Sequence, residues 1–266
     1  MNYEIKKIKN ERFTMNYLRF GKGKQAFVIL PGLSVQSVMG SAPAVENQYK
    51  LFTEDFTVYL FDRRSDIPAS YDIFQMAEDT VCAIKELGLS EISLFGVSQG
   101  GMIAMTIAAL YPGLVSRLSL SSTTVRATEK RIRVIREWSA LAAKKDREGL
   151  FLSMGEKIYP RSYFEKYRHA FVLLSHTVTN EELARFIILA DGISGFDLTD
   201  RIGQINCPVQ LSYDEEDKVF PEDPVPELKE HLSALPVFES RSFNGYGHSL
   251  YDTAPGFGKW LFDFFR

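Results

Sequence analysis

Cysteine and histidine are scarce in this sequence, with two cysteines and four histidines among 266 residues. Cys82 and Cys207 are far apart and match no metal-binding spacing, so we interpret them as buried free thiols in a reducing compartment. The low histidine count also argues against a histidine-rich metal site. We therefore expect no metal centre in this protein.

The sequence also lacks an excess of basic charge and any long apolar run. Its formal net charge is -3, which gives no basis for holding a nucleic-acid backbone. No apolar run approaches the ~20 residues that a membrane span needs. Residues 1–10 lack the apolar core of a secretion signal. We therefore expect a cytoplasmic protein with no nucleic-acid partner and no membrane span.

Short apolar runs alternate with helical patterns along much of the chain. This alternation predicts an α/β fold with a mostly parallel central sheet flanked by helices. Residues 1–20 alternate polar and apolar side chains, and Gly21–Lys24 favours a turn between antiparallel strands. The apolar runs that we interpret as strands are Ala26–Leu30, Thr57–Phe61, Ile92–Phe95, Val115–Leu120, Pro208–Ser212 and Val237–Phe243.

The strand pattern disappears between residues 125 and 195, where amphipathic helical segments follow one another. We interpret residues 125–195 as a helical insertion into a core formed by residues 1–124 and 196–266. Its aromatic side chains could fill the insertion's own small core, roof an apolar pocket, or do both. Four basic side chains are expected on a solvated face, with anion binding as the alternative, namely Lys130, Arg131, Arg133 and Arg136.

The segment Ile92–Gly101 (ISLFGVSQGG) is the most informative stretch of the sequence. Ser98 stands between Gly96 and Gly100 where a strand turns sharply into a helix, which is the pattern of a nucleophile elbow. Glycines are needed there because side chains would collide with the neighbouring strand or helix. The N-terminus of the following helix favours developing negative charge at the serine. The alternative is an ordinary surface turn.

A serine nucleophile needs a base, and histidine is suited to that role by its ordinary pKa of ~6.5. A glycine-rich loop presents His248 after the last strand, and an acid-rich turn follows the strand before it. In a parallel sheet both loops leave the same edge as the elbow. The competing acids are Asp214, Glu215, Glu216 and Asp217. His169 and His176 lie in the helical insertion, where histidines are usually structural or exposed.

Three stretches together resemble the α/β-hydrolase superfamily. They are GVSQGG at 96–101, CPVQLSYDEEDKVFP at 207–221 and GHSLYD at 247–252. The resemblance covers roughly residues 13–124 and 196–266, and implies a single-domain serine hydrolase with residues 125–195 as a helical cap. It implies Asp217 as the acid, because the family's acid occupies this position shortly before a proline.

The resemblance also assigns LPGL at 30–33 to the family's oxyanion loop. The backbone N–H groups of Leu33 and Gln99 would then bind the oxyanion. The family often has His-Gly where this chain has Pro31-Gly32. Two glycines usual in a second loop are missing from Asp62-Arg63-Arg64-Ser65. We interpret the charges of that loop as an ion pair and hydrogen bonds that brace it.

The implied reaction is an acyl transfer to Ser98, with His248 as base and Asp217 fixing its tautomer. The expected substrate is a small to medium carboxylic ester, and no metal or organic cofactor is required. The expected partner is a small-molecule acyl substrate, and a homo-oligomer is possible. The same triad could instead serve C–C bond hydrolysis, amide cleavage, acyl transfer or perhydrolysis. A binding module without activity is a further alternative.

Overall fold

The computed structural model describes residues 2–266, in which eight strands form one sheet. The sheet order is β1-β2-β4-β3-β5-β6-β7-β8. β1 and β2 are antiparallel to their neighbours, and all the other pairs are parallel. The predicted mostly parallel sheet is thus confirmed. The strands are β1 (Tyr3–Lys9), β2 (Thr14–Gly21), β3 (Gln25–Leu30), β4 (Phe56–Phe61), β5 (Ile92–Val97), β6 (Val115–Ser121), β7 (Val209–Tyr213) and β8 (Phe238–Ser242).

Helices cover both faces of this sheet. Every residue of β4 and β5 is buried, as expected for central strands covered on both sides. In the part of the chain that the structure describes, every helix is too short or too polar to cross a membrane. The helices are α1 (Ala42–Gln48), α2 (Ile73–Glu86), α3 (Gln99–Leu110), α4 (Arg133–Ala143), α5 (Arg147–Ile158), α6 (Arg161–Ser175), α7 (Asn180–Asp191), α8 (Val225–Leu232), α9 (Leu250–Thr253) and α10 (Phe257–Phe265).

The predicted antiparallel turn at Gly21–Lys24 is wrong. β2 and β3 are not neighbours, because β4 lies between them and pairs with both. A Cβ atom at Gly23 would overlap the Asp55 backbone, so this glycine lets the connection pass close to the start of β4. The antiparallel turn lies instead between β1 and β2, where the Asn10 side chain accepts hydrogen bonds from the backbone N–H groups of Arg12 and Phe13.

The four helices α4 to α7 all lie between β6 and β7 in the chain. The two ends of this helical segment are joined by an antiparallel bridge between Arg126 and Asp197. Backbone hydrogen bonds on either side reinforce this neck, from Ala127 N to Phe196 O at 2.8 Å and from Leu198 N to Val125 O at 3.0 Å. The insertion therefore leaves and re-enters the core through a single closed neck.

The first part of the insertion differs from the prediction. The amphipathic pattern extends over residues 129–147, but α4 covers only Arg133–Ala143. Arg131 is not on a solvated face, because it is buried and its Nη1 lies 2.7 Å from Oε2 of Glu227 on α8. Its other acceptors are Thr124 and the Arg126 carbonyl. Arg131 therefore ties the neck of the insertion to the core.

Candidate active site

Ser98 lies at the turn between β5 and α3 in a strained backbone conformation. Its φ of 53° and ψ of -120° are rarely adopted by a residue with a side chain. A Cβ atom at Gly100 would overlap the Leu30 carbonyl, and one at Gly96 would lie 2.5 Å from the Gly100 carbonyl oxygen. The two glycines flanking the serine therefore allow β3, β5 and α3 to approach closely enough for this turn.

The second glycine of the Gly-Gly pair has a separate purpose. A Cβ atom at Gly101 would lie 2.6 Å from the Thr123 side chain. The Thr123 hydroxyl occupies this space and donates a hydrogen bond of 2.8 Å to the Ser98 carbonyl. The loop after β6 thus fixes the backbone of the elbow from the side.

The His248 loop is held by contacts from the loops that follow two neighbouring strands, β6 and β7. Gly247 has a φ of 57°, a conformation suited to glycine, and begins the short turn that carries His248. The Ser122 hydroxyl, at the end of β6, donates to the His248 carbonyl at 3.0 Å. The Phe220 ring packs edge-on against the imidazole, with 5.5 Å between ring centres. The buried imidazole is therefore confined from several sides.

Of the four acids in the turn after β7, Asp217 contacts the histidine. Its Oδ2 lies 2.7 Å from Nδ1 of His248, and its Oδ1 accepts a hydrogen bond from Val219 N. Asp214 instead accepts the backbone N–H groups of Tyr246 and Gly247 with Oδ2, and that of Glu216 with Oδ1. One acid therefore meets the imidazole, while the other holds the two loops together.

Ser98 and His248 line the same small cavity, whose volume is about 40 Å³. Within residues 2–266, no hydrogen bond joins the Ser98 hydroxyl to the imidazole, whose Nδ1 is engaged by Asp217. The cavity walls are mostly apolar and come from the core and from α4 and α5. Besides Ser98 and His248, the lining residues are Gly32, Leu33, Val97, Ile135, Trp138, Ile158, Val219 and Tyr251.

The loop after β3 lies directly beside the elbow. A Cβ atom at Gly32 would lie 3.3 Å from Cβ of Ser98 and 3.9 Å from its Oγ. Among the described residues, neither Leu33 N nor Gln99 N donates a hydrogen bond to another protein group. Two backbone N–H groups without a protein acceptor among the described residues thus belong to the chain segments beside the serine.

Several residues at the site were not singled out from the sequence. Ser122 follows β6 with a φ of 47° and contacts the histidine loop, but an isolated serine carries no sequence signal. Ile135 and Trp138 lie one turn apart on α4, and the sequence placed them on one apolar face without assigning either residue to the cavity. His169 and His176 are exposed on α6 and at its end, away from the cavity.

The chain matches the model of the alpha/beta hydrolase fold family over residues 25–255, and therefore belongs to that family. The match takes in β3, the elbow, the acid turn and His248. The resemblance inferred from three short motifs is thus confirmed at the level of family and fold. An α/β-hydrolase enzyme is the class of protein that this match defines.

Relatives of known name are hydrolases at low sequence identity. Serine hydrolase BPHL of Mus musculus is 28% identical over 141 residues, which is 49% of this chain and 48% of that protein. This alignment therefore spans about half of the mouse protein. A putative carbamate hydrolase RutD of Stutzerimonas stutzeri is 24% identical over 85% of this chain and 88% of that protein.

A solved structure shares the fold over nearly its whole length. It is an alpha/beta hydrolase enzyme from a Medee basin deep-sea metagenome library, with a TM-score of 0.85 and 22% identity. The similarity covers 98% of this chain and 97% of that one. At this level of identity the likeness establishes the fold alone.

Proposed function

We propose that this chain is a serine hydrolase in which Ser98 is the nucleophile, His248 the general base and Asp217 the residue that orients the base. The observation that carries the proposal is the pairing of His248 with Asp217 at the wall of the cavity that holds Ser98. With Nδ1 engaged by a carboxylate, Nε2 is the imidazole nitrogen available to accept a proton.

In the proposed reaction the Ser98 hydroxyl attacks an acyl carbonyl carbon as its proton passes to Nε2 of His248. The carbonyl becomes an oxyanion in the tetrahedral intermediate. The intermediate then collapses as the imidazolium returns the proton to the leaving alkoxide. Water, deprotonated by His248, attacks the acyl-enzyme and releases the carboxylic acid and free Ser98.

The backbone N–H groups of Leu33 and Gln99 are the proposed oxyanion donors. Both are free of other protein acceptors among the described residues, and their chain segments flank Ser98. A single donor of this kind contributes about 3 kcal/mol to catalysis in enzymes where it has been removed. Replacement of the family's His-Gly by Pro31-Gly32 leaves these donors in place.

A carboxylic ester with a short acyl chain is the proposed substrate. The cavity of about 40 Å³ is far smaller than the roughly 300–1,000 Å³ of pockets that hold drug-sized ligands. Three side chains of the segment 125–195 line this cavity, namely those of Ile135 and Trp138 on α4 and of Ile158 on α5. We therefore propose that residues 125–195 act as a cap whose side chains limit the acyl group to a few carbon atoms.

The names of two relatives agree with a hydrolytic reaction. One is a serine hydrolase and the other a putative carbamate hydrolase. Free thiols at Cys82 and Cys207 suit the reducing cytoplasm that we propose as the location.

Turnover of p-nitrophenyl esters, the matching anilides, and β-diketones tests the proposal. We expect fast cleavage of acetyl and propionyl esters, with anilides and diketones at least ~100-fold slower in kcat/KM. Fast diketone cleavage with negligible ester turnover would favour C–C bond hydrolysis instead. Absence of turnover on every class would favour a ligand-binding module.

A further inference from the structure

The charged loop after β4 contains a buried guanidinium that the proposed reaction does not use. Arg63 is only 5% exposed, and its Nη2 donates to the Pro31 carbonyl at 2.8 Å and to Oε1 of Gln99 at 3.2 Å. Pro31 precedes the loop segment of Leu33, and Gln99 follows Ser98. One side chain thus connects the two chain segments that supply the proposed oxyanion donors.

The Gln99 side chain extends this connection to α7. Its Nε2 donates to the Leu189 carbonyl at 2.7 Å, which satisfies one of the carbonyl groups left open at the end of that helix. Because Oε1 accepts from Arg63, the amide orientation is fixed at both ends. The Gln99 amide is therefore held between Arg63 and the end of α7.

One face of α7 makes further contacts with the same region. Arg185 Nη2 lies 3.0 Å from Oδ1 of the buried Asp62, and Glu182 accepts from the Gln36 side chain at 3.3 Å. Glu182, Arg185 and Leu189 are spaced three and four residues apart, so they share one helical face. That face is joined to the loop after β3, the loop after β4 and the elbow.

The charge balance in this region is unusual. Two guanidinium groups, those of Arg63 and Arg185, lie in the field of the Asp62 carboxylate, but among the described residues only Arg185 forms an ion pair with it. Asp62 also accepts from Ser37 and from the Arg63 backbone, while Arg63 Nε and Arg185 Nη1 have no protein partner among the described residues. Burial lowers the pKa of Arg63 to about 10. Keeping a cation here is costly, which argues that it does more than fill space.

We propose that Arg63 is a positioning residue for the oxyanion hole, and that it holds the Pro31 carbonyl and the Gln99 side chain at a fixed separation. The backbone N–H groups of Leu33 and Gln99 then keep the spacing that an oxyanion needs. The fixed positive charge favours the oxyanion further. This inference rests on the proposed function, because it concerns the same reaction.

Three variants of neighbouring arginines test the proposal. Arg63→Gln removes both the charge and the forked donor, whereas Arg63→Lys keeps the charge but reaches fewer acceptors at once. Arg64→Gln is the matched control, because Arg64 pairs with Asp66 and with buried Asp79 on the other side of the loop. All three remove a guanidinium from the same short segment.

We expect Arg63→Gln to lower kcat on an acetyl ester by about 100-fold while KM changes by less than about threefold. Arg63→Lys should recover roughly a tenth of the wild-type kcat. Arg64→Gln should lower the unfolding temperature but leave kcat within about twofold of wild type. If Arg63→Gln does not fold, Arg63→Lys compared with Arg64→Gln decides the question.

A second measurement, hydrogen exchange, reports how well the backbone is ordered and does not depend on catalytic activity. In hydrogen exchange, Arg63→Gln should speed exchange in segments 31–37 and 99–101 by about tenfold or more, and Arg64→Gln should not. If the Arg63 variants match Arg64→Gln in both kcat and exchange, the proposal is overturned. An inactive wild-type protein would contradict the proposed function instead, and the exchange data would still decide whether Arg63 orders these segments.

Discussion

His248 and Asp217 form the closest contact between titratable side chains at the cavity, with Nδ1 and Oδ2 2.7 Å apart. Asp214, three residues earlier in the same turn, is more buried than Asp217, and within residues 2–266 its side chain accepts hydrogen bonds only from backbone N–H groups. Two carboxylates in one loop thus have different surroundings. Asp217 faces the imidazole of His248, whereas Asp214 accepts hydrogen bonds from backbone N–H groups that have no backbone acceptor in the described part of the chain.

We therefore expect Asp217→Asn and Asp214→Asn to fail in different ways. Asp217→Asn should lower kcat by roughly 10⁴-fold with little change in stability, because the imidazole tautomer is no longer enforced. Asp214→Asn should lower the free energy of unfolding by about 1–3 kcal/mol, because an amide NH2 replaces one of the two oxygens that accept part-buried backbone N–H groups. Its kcat per folded molecule should fall much less.

Steady-state kinetics and urea unfolding of both variants check this expectation. The fraction folded must be measured at the assay temperature, so that loss of folded protein is separated from loss of turnover. If Asp214→Asn loses turnover while folded and Asp217→Asn retains it, the acid has been assigned to the wrong residue.

The glycines near Ser98 should tolerate substitution far less than a glycine elsewhere in a helix. Gly100→Ala should prevent folding or lower the free energy of unfolding by several kcal/mol, because its Cβ would overlap the Leu30 carbonyl. Gly258→Ala on α10 is the matched control, since nothing lies within 4 Å of its Cβ position. Alanine there should stabilise by about 0.5–1 kcal/mol through helix propensity. Thermal unfolding of the two variants compares them, and a stable Gly100→Ala would contradict the close approach of β3 to α3.

Trp138 should set the acyl-chain length that the enzyme accepts. Its ring is buried at the cavity wall and its Nε1 donates to Ser153 Oγ at 3.1 Å, which fixes the ring between α4 and α5. Trp138→Ala should shift the optimum from acetyl or propionyl to longer p-nitrophenyl esters, with kcat/KM for hexanoate rising by about tenfold or more. A wild-type enzyme that already prefers octanoate would contradict a closed cap.

Trp260→Ala serves as the control for that substitution. Trp260 packs against Phe243 and Phe257 and does not line the cavity, so its replacement removes an indole of the same size from another part of the core. We expect lower stability and an unchanged chain-length profile. A shift of the profile in both variants would mean that general loosening, and not the cavity wall, determines selectivity.

The free thiols should differ in reactivity. Burial raises the pKa of the Cys207 thiol to about 11, from an ordinary value of 9.0, so it stays protonated at pH 8. Native protein should therefore leave Cys207 unmodified by a disulfide-exchange reagent at pH 8, whereas the half-buried Cys82 reacts slowly. The pKa of the Cys207 thiol is higher in the folded state than in the unfolded state, so its protonation contributes to the free energy of unfolding. This contribution is complete below pH 9 and is lost as the pH rises from 9 to 11. Mass mapping of labelled native and urea-unfolded protein, with Cys207→Ala as reference, checks this; rapid native labelling of Cys207 would contradict its burial.

Features with a local sequence signal were predictable in this chain. Continuous apolar runs marked β3, β4 and β5, because strands covered on both faces have no polar side to interrupt them. The serine between two glycines marked a strand-to-helix turn, since only glycine fits where β3 and α3 approach that turn. These signals depend on the segment itself and not on distant partners.

Features that depend on packing between distant segments were not predictable. The sequence of Gly21–Lys24 does not indicate that β4 lies between β2 and β3, because a glycine-containing turn has the same residues in a hairpin and in a crossover connection. The sequence predicted Arg131 on the surface, because its ion-pair partner Glu227 lies far along the chain. The contact of Arg185 with Asp62 likewise depends on how the insertion folds back onto the core.

The central claim is that Ser98 is a nucleophile activated by His248. A fluorophosphonate probe tests it directly, because the probe reacts with an activated serine and its site of attachment can be mapped by mass spectrometry. We expect one adduct on Ser98 in the wild type, none in Ser98→Ala, and labelling slowed by several orders of magnitude in His248→Ala. A folded wild-type protein that takes up no probe, or Ser98→Ala that labels as fast as wild type, would contradict the account.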